Sequence, residues 1–275
     1  MTTMTTITHP ASPPATALQD RVGPLDAARH ILTLAWRSLV QIRHNPMELG
    51  DLSLQPLMFV ALFAYVFGGA IAGSPKAFLQ FGLAGIICQN ALFLTMNTGV
   101  AVNTDITKGV FDRFRSLPIA RSAPLAGRIV ADVVRQLWSM AILLGVGTLL
   151  GFRFHTNPVS VLGAVVLLVV VAGAFSWLPV LVAMLVDEPE KVMMLGFVVV
   201  FPLTFASSAF VPVSTMPGWM QAWAAVNPAT LLVDAVRGLL VGGEVAAPAL
   251  GALAWAAAIG AVCAPLALRA FRRRS

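Results

Sequence analysis

Side chains able to do chemistry are scarce in this 275-residue chain, and none falls into a catalytic spacing. The four histidines, His9, His30, His44 and His155, are scattered, with no HExxH motif and no paired-ligand spacing. Gly-Lys never occurs, so no GxxxxGK(S/T) loop exists to cradle nucleotide phosphates. Cys88 and Cys263 fall inside long apolar stretches, where each reads as a small apolar residue rather than half of a disulfide. Charges recur at helical spacing in two places. Arg128, Asp132 and Arg135, at i, i+4 and i+7, share one helix face as a salt-bridged structural triad or, alternatively, as lining near an inner gate. Asp234 and Arg237, at i and i+3, can pair on another. No acid sits in the middle of an expected span, as a proton- or sodium-coupled carrier would need. The chain is expected to hold no catalytic residue, cofactor or metal of its own.

Two segments are better placed to do work. Residues 103–124 form a loop between apolar stretches, within which Lys108–Leu117 can make a short helix. Phe111, Phe114, Val110 and Leu117 lie on one side of it and Asp112, Arg113 and Arg115 on the other, before Pro118 stops it. A basic loop that merely sets topology would explain the arginines but not the phenylalanines; an apolar side facing cytosol needs lipid or a protein to bury it. Ser122 can cap the next helix, with Pro124 in its first turn. The second segment, 212–244, is divided by Pro212, Pro217 and Pro228, so it cannot be one straight helix. It carries Trp219 and Trp223, amphipathic aromatics suited to a membrane interface, with Asn227, Asp234 and Arg237 further on. A helical hairpin dipping into the outer leaflet fits it better than a plain outer loop, because hydrophilic residues are missing.

The elements that must position these segments are membrane spans. Apolar residues make up 58% of the chain and charged residues 11%, against about 25% charged in soluble domains. Mean hydropathy is +0.83. Charge-free stretches place six spans near Leu54–Ala72, Phe78–Val102, Leu125–Gly151, Val161–Leu185, Val192–Val211 and Pro248–Leu268. Of the 18 lysines and arginines, only Lys76, Arg153 and Arg237 fall on the side opposite both termini. Cytoplasmic loops carry the basic excess, so both termini and the 103–124 loop are expected in the cytoplasm of a bacterial plasma membrane. The pI near 10.3 is thus a topology signal, and no basic soluble face exists for nucleic acid. Residues 1–24 read as a disordered tail. Asp26–His44 reads as an amphipathic interfacial helix within 25–46, with Arg29 and Arg37 near headgroups and Ile31, Leu32 and Leu39 opposite. The fold class expected is all-α integral membrane: six transmembrane helices, an N-terminal interfacial helix and a re-entrant outer hairpin, with 25–275 as one transmembrane domain.

Lys108–Arg135 and Phe210–Leu240, taken with this order of elements, resemble permease subunits of ABC-2-type exporters, in the daunorubicin-resistance (DrrB-like) branch. The resemblance covers nearly all of Leu25–Ser275. It implies two paired permeases, as homodimer or heterodimer, and two copies of a separate ATP-binding subunit that holds ATP and Mg. It also implies a coupling helix, which maps to Lys108, Gly109, Phe111, Asp112, Arg113, Phe114 and Arg115. Asp26–His44 is similar to the family's connecting helix. Met216–Leu240 is similar to its re-entrant outer helices, with Pro217, Trp219, Trp223, Asn227, Pro228, Asp234 and Arg237 as hairpin residues. Relatives often carry two acids before the coupling glycine; here Asp105 is present and Thr107 takes the second place. Ser207-Ser208 stands where the family often has Ser-Gly. The implied function is export of a hydrophobic or amphipathic substrate, a drug, antibiotic or lipid. An ion-coupled secondary transporter or a non-transporting membrane assembly protein are the alternatives.

Overall fold

A computed structural model describes residues 46–109 and 123–274, with side chains described at 50, 53–109 and 131–271. The tail, the helix expected over Asp26–His44 and residues 110–122 lie outside that set. Among the described residues the protein is helical throughout, with no strand. Helix α1 (Pro46–Ala61) passes through a π-helical turn, Leu62–Phe67, into α2 (Gly68–Ala72). Helices α3 (Pro75–Thr107), α4 (Ala123–Leu149), α5 (Pro158–Phe175), α6 (Trp177–Leu185) and α7 (Pro189–Phe205) follow. A 3-10 turn at Val213–Thr215 leads to α8 (Gly218–Val226), α9 (Pro228–Val241) and α10 (Ala246–Arg274).

Local chemistry explains most of the boundaries. Proline occupies the first turn of α3, α5, α7 and α9, where its missing N–H costs nothing and its fixed φ suits the helix. Ser74 caps α3 by accepting from Ala77 N at 3.2 Å, and Asn157 caps α5 by accepting from Ser160 N at 2.8 Å. Gly73, at φ +76°, closes α2 in the left-handed region that only glycine enters freely. The expected fourth span is broken at Ser176 into α5 and α6, because Pro179 cannot donate to the carbonyl of Phe175. The expected fifth span stops at Phe205, six residues short of Val211, for reasons supplied by tertiary contacts described below.

Among the described residues, four stretches are long and apolar enough to cross a membrane: Ser53–Ala72, Pro75–Thr107, Pro158–Leu185 and Ala246–Phe271. The pair α8 and α9, bent by 74°, makes a fifth if taken as one span. The multi-pass membrane class therefore holds. Helix α3 is the hub, with 67% of its most apolar window buried against 11% for α10. It packs against α4, α5, α6, α7 and α9, while α10 lies outside on α5, α6 and α9. Two of its glycines permit the closest approaches: a methyl on Gly85 would lie 2.1 Å from the Ala209 carbonyl oxygen, and one on Gly99 2.6 Å from that of Pro179. A run of stacked rings ties the first span to α7's end. Phe63 lies 4.4 Å from Phe210, which is 5.1 Å from Phe205, itself 4.3 Å from Phe201.

Candidate functional site: the exit of the central helix and the bent pair

The expected coupling segment leaves from the end of α3. Lys108 terminates the helix and Gly109 turns left-handed at φ +64°. Phe111, Asp112, Arg113, Phe114 and Arg115 lie outside the described residues. What holds the exit point is described. Asn103, fully buried, donates through Nδ2 to the carbonyls of Ala183 (2.9 Å) and Val186 (2.8 Å), tying the end of α3 to the end of α6. Val102, Val180, Ala183, Met184, Val192 and Ala267 pack around that tie. The neighbouring turn carries an exposed ion pair, Lys191 to Glu188 at 2.9 Å, which raises the Lys191 pKa above its usual value through the carboxylate's hydrogen bond and charge. An exposed pair like this contributes little to stability.

Midway along α3 a polar seam faces α4. Thr98 donates to Asp132 Oδ2 at 2.7 Å, and Arg135 Nη1 reaches Asp132 Oδ1 at 2.6 Å. Two turns further along α4, Ser139 accepts from Asn90 at 2.7 Å. Asp132 and Arg135 therefore pair as expected, whereas the side chain of Arg128 lies outside the described set. The partners on α3 are not evident from α4 alone. Asn90 and Thr98 stand eight residues apart, matching Asp132 and Ser139 seven apart, and that helical register is the signal that finds them.

The bent pair is braced at three points. Asn227, 1% exposed, stands at the bend and does two things with one amide. Its Oδ1 accepts from Ala229 N at 2.8 Å and caps α9. Its Nδ2 donates to the carbonyls of Leu203 (2.8 Å), in the last turn of α7, and of Ala206 (2.9 Å), just beyond it, where no helical donor remains. This is why α7 stops at Phe205. Further along α9, Arg237 engages all three guanidinium nitrogens: Nη1 on Asp234 Oδ1 (2.7 Å), Nη2 on the Ser208 carbonyl (2.6 Å) and Nε on the Phe81 carbonyl (3.0 Å). It also lies 4.1 Å over the Phe81 ring. Ser208 donates to the same Asp234 oxygen at 2.6 Å, so the pair expected at i and i+3 is the centre of a wider clasp on α3. Trp255 of α10 supplies the third brace, donating to the Val226 carbonyl at 3.0 Å. Pro217 is the N-cap residue of α8 and Pro228 starts α9, while Trp219 and Trp223 are exposed.

Asp132 and Asp234 are consumed by arginine and hydroxyl donors, and among the described residues no cluster of His, Cys, Asp and Glu is arranged to hold a metal ion. The geometry suits a body of helices with one exposed exit point and one braced, irregular helix pair. Residues 29–241 match the family model described as ABC-2 type transporter. The chain is 39% identical over 256 residues to the "Daunorubicin resistance ABC transporter permease protein DrrB1" of Streptomyces coeruleorubidus, covering 93% of this chain and 90% of that protein. It is 30% identical over 223 residues, 80% of each chain, to the "Probable doxorubicin resistance ABC transporter permease protein DrrC" of Mycobacterium tuberculosis. The match spans both the exit of α3 and the bent pair, and the chain belongs to the ABC-2 type transporter family as a permease protein.

Proposed function

We propose that this chain is the membrane subunit of an ATP-driven exporter that carries a hydrophobic or amphipathic substrate, a drug, antibiotic or lipid, out across a bacterial plasma membrane. The observation carrying this reading is the family match along almost the whole chain, joined to a sequence with no phosphate-binding loop. ATP and Mg would then be held by a separate subunit, two copies of which dock on a pair of permeases, through Lys108–Arg115. Both acids of the bundle that pair with arginine are already satisfied, which disfavours proton coupling. The test is efflux of daunorubicin from cells expressing the chain with and without a partner ATP-binding subunit. Efflux is expected only with both, and the purified chain alone is expected to bind ATP no better than background. Micromolar nucleotide affinity in the partner-free chain, or efflux that needs only a proton gradient, would overturn the assignment.

The finer architecture belongs to the same proposal. Six spans follow if α4, 27 residues long, and α7 cross together with the four apolar stretches. The pair α8 and α9 then re-enters from the outer side. At 9 and 14 residues its arms reach only about 14 and 21 Å, short of the roughly 30 Å of hydrocarbon. The bend at Asn227 shares a cavity with Thr95, well inside the length of α3, which supports a dip rather than a surface loop. With six spans the termini and residues 103–124 lie in the cytoplasm and 212–244 outside. Ser116→Cys and Ser214→Cys in a background lacking Cys88 and Cys263 check this with an impermeant thiol reagent on intact cells. Ser214→Cys is expected to label and Ser116→Cys to stay unlabelled until the cells are opened; the reverse pattern sinks the topology.

A further inference from the structure

Helices α7 and α10 do not pack against each other, and the gap between them opens into a cavity of 340 Å³. Thr95 of α3 and Phe175, Leu178 and Pro179 at the α5–α6 break form its floor; the bend at Val226–Pro228 closes one end. Apart from the Trp223 indole N–H at the mouth, its lining is apolar or already hydrogen-bonded. The Thr95 hydroxyl donates to the Leu92 carbonyl at 2.6 Å, the Asn227 amide is spent on α7 and α9, and the Trp255 N–H is spent on Val226. A water molecule in a protein cavity needs two to four polar partners, so this one is dry; an apolar cavity of about 150 Å³ already binds benzene. The present cavity is more than twice that size. It also has a mouth. Val199, Trp223 and Trp255 line it and are 45%, 45% and 42% exposed, on a flank where Val198 and Leu253 are exposed as well. With α7 and α10 placed in a membrane, that flank is open to lipid chains, an apolar molecule present there at saturating amount. Trp223, at the mouth, carries an indole N–H suited to an ester oxygen that stays outside.

We propose that this cavity is a binding site for one acyl chain of a membrane lipid, which enters sideways between α7 and α10 beneath the bent pair. The chain fills a space that the two helices leave open and becomes the packing partner they lack in each other. It rests on the membrane placement of the helices and does not depend on what is exported. The full-length permease, reconstituted in phosphatidylethanolamine and phosphatidylglycerol vesicles, is given a trace of phosphatidylcholine bearing a diazirine at the end of one chain. After irradiation, adducts are mapped by mass spectrometry. Thr95, Phe175 and Val200 are buried, so lipid on the outer surface cannot reach them, whereas Leu250, 69% exposed, reports that surface. Adducts are expected on the buried three as well as on Leu250. Ile259→Trp and Leu178→Trp fill the cavity from different walls, and each is expected to lose the buried adducts while keeping the one on Leu250. Adducts confined to exposed positions such as Leu250 and Val198 would overturn the proposal, as would buried adducts that persist in both filled variants. Loss of the buried adducts on adding excess daunorubicin, with Leu250 still labelled, would assign the cavity to an aromatic drug and overturn the lipid assignment.

Discussion

Changing Phe111 and Phe114 together to Ala is expected to leave the permease in the membrane but strip it of its ATPase. Both residues lie beyond Gly109, where the chain leaves α3 in a left-handed turn, and outside every expected span, so insertion has no need of them. If they fill a groove on the partner, each truncation removes a buried aromatic anchor. Such anchors commonly cost about 2 kcal/mol or more, though two values do not simply add. One such loss alone weakens docking roughly 30-fold, since about 1.4 kcal/mol is a factor of ten. Efflux and ATPase co-purification should fall together. Arg113→Glu with Arg115→Glu should act in the same direction, with a steeper dependence on salt, because charges at the rim of an interface set encounter rate more than residence. The competing view, a loop lying on lipid, predicts weaker membrane anchoring with the partner still bound. Pull-down of the ATPase from detergent extracts separates them: equal recovery from wild type and the double variant, at equal permease levels, places the coupling element elsewhere.

The second large effect is expected at Arg237. Arg237→Ala strands three acceptors at once, the carboxylate of Asp234 and the carbonyls of Ser208 and Phe81. Removing one partner of a buried pair typically costs about 3–5 kcal/mol; Asp234 is 37% exposed, so a smaller loss, about 2 kcal/mol, is expected. Against a total stability on the order of 5–15 kcal/mol that is a large share. Arg237→Lys keeps the charge but not the planar fork that reaches all three acceptors, so partial loss is expected. Asp234→Ala combined with Arg237→Ala removes the stranded acid and is expected to be less damaged than Arg237→Ala alone. Thermal unfolding of the purified proteins in detergent reads all four. An Arg237→Ala protein as stable as wild type would mean that water, not the guanidinium, satisfies these groups. Because the clasp is structural, efflux should decline in step with the amount of folded permease rather than at constant abundance.

Much of this architecture is written in one-dimensional features. Charge-free stretches point to four of the expected spans, those meeting Ser53–Ala72, Pro75–Thr107, Pro158–Leu185 and Ala246–Phe271, because transfer into lipid depends on what a segment is made of, not on what it meets. Proline beside a capping residue at Ser74-Pro75, Asn157-Pro158 and Asn227-Pro228 marks three helix starts, since the first turn alone tolerates a missing N–H. Pro217 and Pro228 divide the outer segment where α8 and α9 begin, and Asp234–Arg237 pair at their helical spacing. The family is legible too, through the stretches around Lys108 and Phe210.

What the chain meets on folding is a different matter. That α3 is the hub, that Gly85 and Gly99 admit close backbones, and that Asn227 terminates α7 all depend on partners far away in sequence. Arg237 reaches Phe81 across 156 positions. Inside lipid, hydrophobicity favours no helix pair over another, so close packing and the pairing of stray polar groups choose the arrangement. Those are properties of two surfaces at once. Composition alone marks this chain as a multi-pass membrane protein; the meeting of Asn227 with α7, of Arg237 with α3 and Ser208, and of Thr98 with Asp132 decided how its helices stand together.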